Sequence, residues 1–362
     1  MAYATISKPG LHFNTKLYTG TGSSLSVTGV GFQPDWTWIK SRVATHNHFA
    51  HDAVRGVTKS LFPNLTSTED INAQYLTAFG TDGFTVGTNG SINSNGDNYA
   101  SWNWKAGGTT SSNTDGDINS TVSVNTTAGF SIVSYTGNGS NNQTVGHGLG
   151  VKPAVMIFKN RDDTNNWVMY HHKLNNGTNP EVKYLELNGT NAQLDDASIF
   201  NDTAPTSTLF TIGSASDTGG GSGGNNEKII AYCFAEKTGY SKFGSYIGNN
   251  STDGTFVYTG FKPAWILIKN TTTGGTHWRL ADTKRTPFNT TQNLLFPSSN
   301  AAENTTATGT GNDFQIFSNG FKLTTTNNIY ANESGSTFIY MAFAENPIVA
   351  NVGANGIPVT AR

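Results

Sequence analysis

The chain has 362 residues and a net charge of −2, with 35% hydrophobic, 11% aromatic and 13% charged residues. The aromatic content excludes a disordered chain, the low charge argues against a nucleic-acid partner, and no apolar run approaches the roughly 20 residues that span a bilayer. The single cysteine, Cys233, excludes internal disulfides and a zinc site built on thiolates.

The first predicted unit covers residues 1–108 and starts without the basic and apolar regions of a signal peptide, so we expect synthesis in a cytosol. Its main element is the strand in GFQPDWTWIKS (31–41), which follows a Gly and a Pro. Most residues on both faces are apolar, and this predicts a strand that is covered on both sides. Lys40 ends the strand and is expected to carry its ammonium group to water.

A stretch rich in Thr, Ser and Asn, 109–124, is predicted to be a linker. Within it, NTDGDIN (113–119) places two Asn and two Asp at alternate positions, as at the start of a calcium-binding loop. The Glu that would complete such a loop is missing, because Val124 stands in its place. The prediction is a polar linker without a metal, and calcium binding is the alternative.

Two further units, 125–238 and 239–349, repeat the pattern and are followed by a tail, 350–362. GVKPAVMIFKN (150–160) and GFKPAWILIKN (260–270) are copies of the Pro-led strand, and the three prolines lie at intervals of 119 and 110 residues. Each interval is long enough for a domain with its own core. Because Gly- and Asn-rich turns separate short strands throughout, the sequence predicts an all-β protein of three tandem β-sandwich units.

An aromatic residue follows the lysine of each Pro-led strand by eight or nine positions: Phe49, Trp167 and Trp278. The two tryptophans stand in loop-like contexts with Asn, Asp and His nearby. Exposed aromatic rings in such surroundings stack on the faces of sugars while the polar side chains take the hydroxyl groups. We predict that each tryptophan ring plugs a core beneath a loop, and the alternative is a weak contact with a glycan.

Asp52 and Asp282 also correspond, and each begins an Asp-x-x-Arg sequence that ends at Arg55 or Arg285. We predict that each pair forms an ion pair that pins a loop, and the alternative is a ligand contact. His172 holds about this place in the second unit. The candidate glycan contacts are therefore Phe49, Asp52, Trp167, His172, Trp278 and Asp282.

No catalytic residue, metal ion or other cofactor is predicted. Glu236 and Glu345 share a position at the end of the closing strand of their units, where Ala106 stands in the first unit. Repetition of this kind favours solvated strand ends over the carboxylate pair of a glycosidase. His46 and His48 have a spacing that is compatible with a metal, but no Cys or Glu completes a ligand set, so loop histidines are expected.

The run WNWKAGGTTSSNTDGDINSTVSVNTTAGFSIVSYTGNGS (102–140), with HGLGVKP (147–153) and AFAENP (342–347), resembles an uncharacterised repeat family. Its members are encoded by tailed phages of marine bacteria, including cyanophages. The resemblance extends over nearly the whole chain, including DAVRG (52–56) in the first unit. It implies a virion-associated structural or tail-fibre protein with lectin-like β-sandwich units of the concanavalin A type, and it carries over no catalytic residues.

We therefore expect a non-enzymatic virion protein that is made in the host cytoplasm and exposed as a capsid decoration or a part of the tail or fibre. The expected partners are other phage structural proteins and further copies of the chain, with weak adhesion to a host-surface glycan as a secondary function. Neither nucleic acid nor a membrane is expected as a partner. A polysaccharide-degrading enzyme of the β-sandwich type and a free carbohydrate-binding lectin are the alternatives. The tail, 350–362, is expected to be able to lie in a groove on a partner.

Overall fold

The computed structural model describes residues 4–221, 226–287, 293–303, 313–326, 329–352 and 355–358. Within these residues the protein is all-β, as predicted, and the strands of every sheet pair antiparallel. The described α-helices have four residues each: α1 (Gly90–Asn93), α2 (Ala197–Phe200) and α3 (Ser216–Gly219). None of the described helices is long and apolar enough to cross a membrane.

From residue 4 onward, the first repeat contains nine strands and a 3₁₀ turn at Pro9–Leu11. The strands are β1 (Phe13–Thr19), β2 (Leu25–Thr28), β3 (Trp36–Ser41), β4 (Phe49–Asp52), β5 (Lys59–Ser60), β6 (Asp70–Ile71), β7 (Leu76–Gly80), β8 (Gly83–Val86) and β9 (Asn98–Trp104).

In the second repeat, the residues that the structure describes form ten strands and two 3₁₀ turns, Leu174–Gly177 and Pro180–Val182. The strands are β10 (Ser111–Asn113), β11 (Ser120–Asn125), β12 (Phe130–Thr136), β13 (Gln143–Gly146), β14 (Val155–Asn160), β15 (Val168–His171), β16 (Lys183–Glu186), β17 (Leu194–Asp195), β18 (Leu209–Ile212) and β19 (Lys228–Phe234).

The described residues of the third repeat form seven strands, and a hairpin follows them. The strands of the repeat are β20 (Ser241–Ile247), β21 (Phe256–Tyr258), β22 (Phe261–Asn270), β23 (Arg279–Asp282), β24 (Phe314–Phe317), β25 (Gly320–Leu323) and β26 (Thr337–Pro347), and those of the hairpin are β27 (Val349–Val352) and β28 (Asn355–Pro358). The hairpin takes up part of the predicted tail, 350–362, whose remaining residues lie outside the described ones.

Each repeat builds a four-strand motif with the same order: β1-β9-β3-β4, β12-β19-β14-β15 and β20-β26-β22-β23. The Pro-led strand and the closing strand lie in the middle. The glycine that introduces each Pro-led strand (Gly31, Gly150 and Gly260) has a φ of 92°, 70° and 83°, a conformation that glycine adopts without strain. The sequence repeat is therefore a structural repeat with one strand register.

A small sheet covers the outer face of each motif: β2-β8-β7, β13-β18 or β21-β25-β24. Matching residues fill the three cores between the sheets: Val27, Phe84 and Ile39; Val145, Phe210 and Phe158; Val257, Phe321 and Ile268. The prediction that the Pro-led strands are covered on both sides is confirmed, because their inner faces are buried as well.

The inner faces of the three motifs meet in one shared core. At its centre lie the rings of Trp104, Phe234 and Phe343, the last aromatic residues of the three closing strands. Their centroids form a triangle with sides of 6.5, 5.7 and 5.8 Å. The repeats are thus arranged around an approximate threefold axis, and this inner core needs all three of them.

The segment 109–124, which was predicted to be a linker, instead contributes β10 and most of β11. These strands extend the motif of the second repeat to a sheet of eight strands, together with β16 and β17 at the other edge. Thr, Ser and Asn can pair at a sheet edge because the hydrogen bonds between strands use only backbone groups. One of the possible calcium ligands is already engaged, because Asp117 accepts hydrogen bonds from the backbone N–H and the hydroxyl of Thr144.

Candidate functional site

Five of the six predicted glycan contacts are buried: Phe49, Asp52, Trp167, Trp278 and Asp282, none of them more than 3% exposed. Burial excludes the alternative in which the aromatic rings are exposed to a glycan, and the prediction that the two tryptophans fill a core is confirmed. His172 is the exception and is half-buried at the surface. The buried five lie at the ends of the fourth strand of each motif, where that strand passes between two repeats.

The residue that precedes the fourth strand donates a hydrogen bond to the preceding repeat, and in the first repeat it donates to the third. Trp167 Nε1 donates to the carbonyl oxygen of Phe62 at 2.9 Å, and Trp278 Nε1 donates to that of Glu186 at 2.9 Å. In the first repeat the equivalent residue is His48, not Phe49, and its Nε2 donates to the carbonyl oxygen of Phe296 at 3.1 Å. The three contacts form a closed ring of repeats.

The carbonyl oxygens that accept these hydrogen bonds show which segment of the second repeat is equivalent to the LFP sequences of the other two. Phe62 and Phe296 belong to the two LFP sequences, and the second repeat has no such sequence. Its equivalent is the segment Leu185–Glu186–Leu187, since Leu185 pairs with Met169 just as Leu61 pairs with Ala50. The backbone position is kept although the side chains differ, and only the carbonyl oxygen is needed as an acceptor.

A second set of hydrogen bonds joins the repeats through the last residue of the fourth strand. Tyr232 donates its hydroxyl hydrogen to Asp52 at 2.7 Å, and Trp102 donates its indole N–H to Asp282 at 3.0 Å. His171, which pairs with Val155 as Asp52 pairs with Trp36, is the true equivalent in the second repeat. The prediction placed His172 there and is off by one residue.

The predicted Asp-x-x-Arg ion pairs are confirmed. Arg55 and Arg285 are buried and contact the carboxylates of Asp52 and Asp282 at 2.5 and 2.6 Å. Each pair belongs to a larger network of charges that crosses to another repeat. Breaking a buried ion pair is strongly destabilising, because removing either partner leaves an uncompensated charge in the protein interior.

Glu69 carries the first network to the second repeat. It lies 3.0 Å from Arg55 and 2.9 Å from Arg161, and its backbone N–H donates to the carbonyl oxygen of Arg161. Burial alone would raise the pKa of Glu69, but the guanidinium groups of Arg161 and Arg55 hold it below its ordinary value. Glu303 links Arg285 to Arg42 in the same way.

The lysine that ends each Pro-led strand is completely buried, contrary to the prediction that it reaches water. Lys40 and Lys159 donate to carbonyl oxygens of the following loop, and Lys269 donates to the carbonyl and hydroxyl oxygens of Thr276 at 2.8 and 2.7 Å. Burial lowers the pKa of these lysines to about 7, 8 and 7, respectively.

The histidines also serve the structure. Nδ1 of His48 accepts the indole N–H of Trp38 at 2.9 Å while Nε2 donates to the third repeat, so the ring is neutral. Burial lowers its pKa well below the ordinary value. Among the described residues, no group of three or more His, Cys, Asp or Glu side chains could hold a metal ion.

Glu236 was predicted to be a carboxylate at a strand end. It lies at the surface, beside two grooves. The larger groove has a volume of about 510 Å³ and is lined by Glu236, Thr238, Gly239, Ser241, Lys242, Tyr258, Thr259, Gly260, Ile348 and Val349. The smaller one, about 310 Å³, is lined by residues that include Glu236 and His172. A volume of this size falls in the range of small-molecule sites, about 300–1,000 Å³.

The Glu236 carboxylate is held by two neighbours: Lys242 Nζ lies 2.9 Å from Oε2, and the backbone N–H of Phe243 donates to Oε1 at 2.8 Å. His172 lies nearby but donates its Nε2–H to the carbonyl oxygen of Phe243 at 2.7 Å. Glu345, its counterpart, pairs with Lys262 at 3.0 Å. The two carboxylates therefore form ion pairs within the third repeat or at its border.

Tyr258 is the residue of this groove that the sequence analysis missed. Its side chain is 61% exposed, and it lies on the outer face of β21 beside the groove. A comparison of the outward-facing positions of the three repeats would have found it, because the other two repeats carry Thr28 and Gly146 at this place in the sheet.

Comparison with known proteins gives one match. A family model described as a domain of unknown function, DUF7483, matches residues 8–347. No curated protein and no solved structure matches the chain. The match extends across all three repeats as one unit, in agreement with their shared core, and the chain belongs to this family, DUF7483.

Proposed function

We propose that the protein is a structural component of a tailed-phage particle and is exposed on the surface as a capsid decoration or a part of the tail or fibre. The observation that carries the proposal is the way in which the chemically distinctive residues are used. Asp52, Asp282, Trp167 and Trp278 all join one repeat to another. A chain that uses such residues for internal contacts is built for a rigid shape.

The resemblance to proteins of marine phages supports this proposal, and so does the burial of the ion pairs. Salt screens exposed charges strongly but buried pairs much less. The pairs Asp52–Arg55 and Asp282–Arg285 are buried, so their attraction persists in seawater. We propose each motif with its small sheet to be a lectin-like β-sandwich unit, and the partners to be other phage structural proteins and copies of this chain.

Labelling of purified particles tests the proposal. An antibody against the protein is applied to phage particles purified by density gradient from a lysate of producing bacteria, and the label is located by electron microscopy. We expect label at regular positions on the capsid or the tail. Protein that stays entirely in the soluble fraction would contradict the proposal and favour the alternatives of a free lectin or a polysaccharide-degrading enzyme.

A further inference from the structure

The outer face of the small sheet in the third repeat differs from its counterparts. Phe256 and Tyr258 alternate on the exposed side of β21, with 44% and 61% of their surface exposed. Phe317 lies on the same face, and its ring makes an edge-to-face contact with that of Phe256 at 6.0 Å. Aromatic side chains are costly to leave in water, so this exposed cluster indicates a contact surface.

The other two repeats have small side chains at these positions. Strand register places Ser26 and Thr28 of the first repeat, and Thr144 and Gly146 of the second, at the positions of Phe256 and Tyr258. The fold itself therefore does not require aromatic residues there. The aromatic face is a local addition to a scaffold that is otherwise repeated.

The aromatic face continues into the groove beside Glu236. Tyr258 and Thr259 line this groove together with Glu236, Thr238 and Lys242, which bring polar groups to it. The ion pair places a hydrogen-bond acceptor and a donor side by side, with Lys242 Nζ 2.9 Å from Glu236 Oε2. The side chains of Glu236 and Lys242 are 29% and 42% exposed, so a bound molecule can reach both.

We propose that this groove binds a neutral saccharide, with a pyranose face stacked on Tyr258 and adjacent hydroxyl groups held by Glu236 and Lys242. A sugar ring has one apolar C–H face and an edge of hydroxyls that both donate and accept, which matches an aromatic ring beside a carboxylate and an ammonium group. The inference rests on the proposed function and identifies the ligand class for the surface adhesion that this function allows.

Charge distinguishes a neutral sugar from other occupants. The carboxylate and the ammonium group compensate each other, so the groove gives neither an anion nor a cation a net attraction. A purely apolar partner would leave both charges buried and without water, which is costly. The hydroxyl groups of a sugar can replace the water molecules that the carboxylate and the ammonium group lose on binding.

Saturation-transfer NMR on the complete protein tests the proposal. The probes are methyl β-glucopyranoside, methyl β-galactopyranoside and N-acetylglucosamine, with glucuronate and butanol for comparison. We expect transfer to at least one neutral sugar, strongest at the C–H protons of one ring face. Because stacking on an aromatic ring contributes on the order of 1 kcal/mol, Tyr258→Thr is expected to weaken binding about fivefold to tenfold.

The structure supplies matched variants. Y258T and Phe256→Ser introduce the residues that the first repeat carries at these positions, so the sheet tolerates them. Glu236→Gln keeps the size of the side chain, removes its charge and is expected to weaken binding about threefold. Ile71→Ala removes an equally exposed apolar side chain from the first repeat and is expected to leave binding unchanged.

Three results would overturn the inference: no transfer to any of the neutral sugars, sugar binding that is unchanged in Y258T, or butanol binding that matches the sugars and is equally sensitive to Y258T. The last result would identify an apolar contact surface. The NMR test uses purified protein, so it does not depend on the particle labelling. If the protein binds sugar but is absent from particles, the proposed function is contradicted and the inference about the groove is not.

Discussion

Lys269 has a pKa that links the stability of the fold to pH. Burial lowers this pKa from 10.5 to about 7. Between these values the unfolded chain holds a proton that the folded protein has released, so the free energy of unfolding rises as the pH increases from 7 to 10.5. Below pH 7 both states are protonated, and the cost of burying the charge is present in full.

Replacing this lysine should remove part of the pH dependence. In the wild-type protein Lys269 is expected to add at most about 3 kcal/mol to the free energy of unfolding between pH 7 and 9.5. Lys269→Met should lose that gain, whereas Lys152→Met, at an exposed lysine, should keep it. Urea unfolding at both pH values measures the difference. An identical pH slope in wild type and Lys269→Met would show that the lysine is not buried in solution.

His147 links stability to pH on the acid side. Nδ1 accepts the backbone N–H of Leu149, and Nε2 donates to the carbonyl oxygen of Thr206. Burial lowers its pKa from 6.5 to about 4. Stability is therefore lost as the pH falls from 6.5 towards 4, because the unfolded chain takes up the proton first and a protonated ring can no longer accept a hydrogen bond.

His147→Gln should make the protein less sensitive to acid. The amide retains a donor and an acceptor but does not titrate in this range. The wild-type protein is expected to lose about 3 kcal/mol more than the variant between pH 7 and 4. Chemical unfolding at the two pH values, followed by circular dichroism, gives the comparison. Equal losses in both proteins would contradict a neutral, buried His147.

The burial of the lysines was beyond the reach of sequence reasoning for a physical reason. Their position at the end of a strand is visible in the sequence, and a strand end usually reaches water. The loop after each strand folds back over the ammonium group, and carbonyl oxygens of Ala44, Asp163 and Thr276 close around it. The alternation of residues along a strand does not predict where the carbonyl oxygens of the following loop will lie.

At the scale of elements, the indole groups allow a direct comparison. Trp167 donates its N–H to the first repeat, whereas the indole N–H of Trp265 has no partner within the described part of the chain. Trp167→Phe and Trp265→Phe remove similar volumes from the shared core. We expect Trp167→Phe to cost about 1–3 kcal/mol more, because it leaves the buried carbonyl oxygen of Phe62 without this donor.

Urea unfolding of both variants measures this difference, and the m-value serves as the control for an unchanged unfolded state. A larger loss in Trp265→Phe than in Trp167→Phe would indicate that volume, and not the hydrogen bond between repeats, determines the cost. Equal losses in the free energy of unfolding would mean that the hydrogen bond from Trp167 to Phe62 contributes no net stabilisation.

The elements themselves were largely readable from the sequence. The Pro-led strands and the closing strands have apolar runs and clear turns, and the structure places β3, β14 and β22 where they were expected. For the tryptophans at 167 and 278 a surface position stayed open as an alternative, because a strand flanked by Asn, Asp or His resembles a surface loop. Their burial is created by a neighbouring repeat, and a pattern within one repeat cannot reveal it.

At the scale of the whole molecule, the shared core determines how the repeats depend on one another. The three sequence copies are long enough for each unit to hold its own core, and each does have a core under its small sheet. The largest cluster nevertheless draws on all three motifs. Removing one repeat would expose the inner faces of the other two. Without the second repeat, for example, Trp36 would lose the ring of Tyr232, on which it stacks at 4.4 Å.

The shared core predicts that the 362-residue chain unfolds in one cooperative transition. A single transition corresponds to a van't Hoff enthalpy of about 250 kcal/mol near 60 °C, and repeats that unfold separately would each show about a third of this value. Differential scanning calorimetry measures the ratio of van't Hoff to calorimetric enthalpy, which should be close to one.

Phe84→Ala sharpens this test, because Phe84 belongs only to the core under the small sheet of the first repeat. The change should cost about 3–5 kcal/mol. If the repeats are coupled, the entire heat-absorption peak moves to lower temperature and nothing remains at the wild-type position. If they are independent, about a third of the peak moves and the rest stays. The second outcome would mean that the aromatic triangle of Trp104, Phe234 and Phe343 does not hold the repeats together in solution.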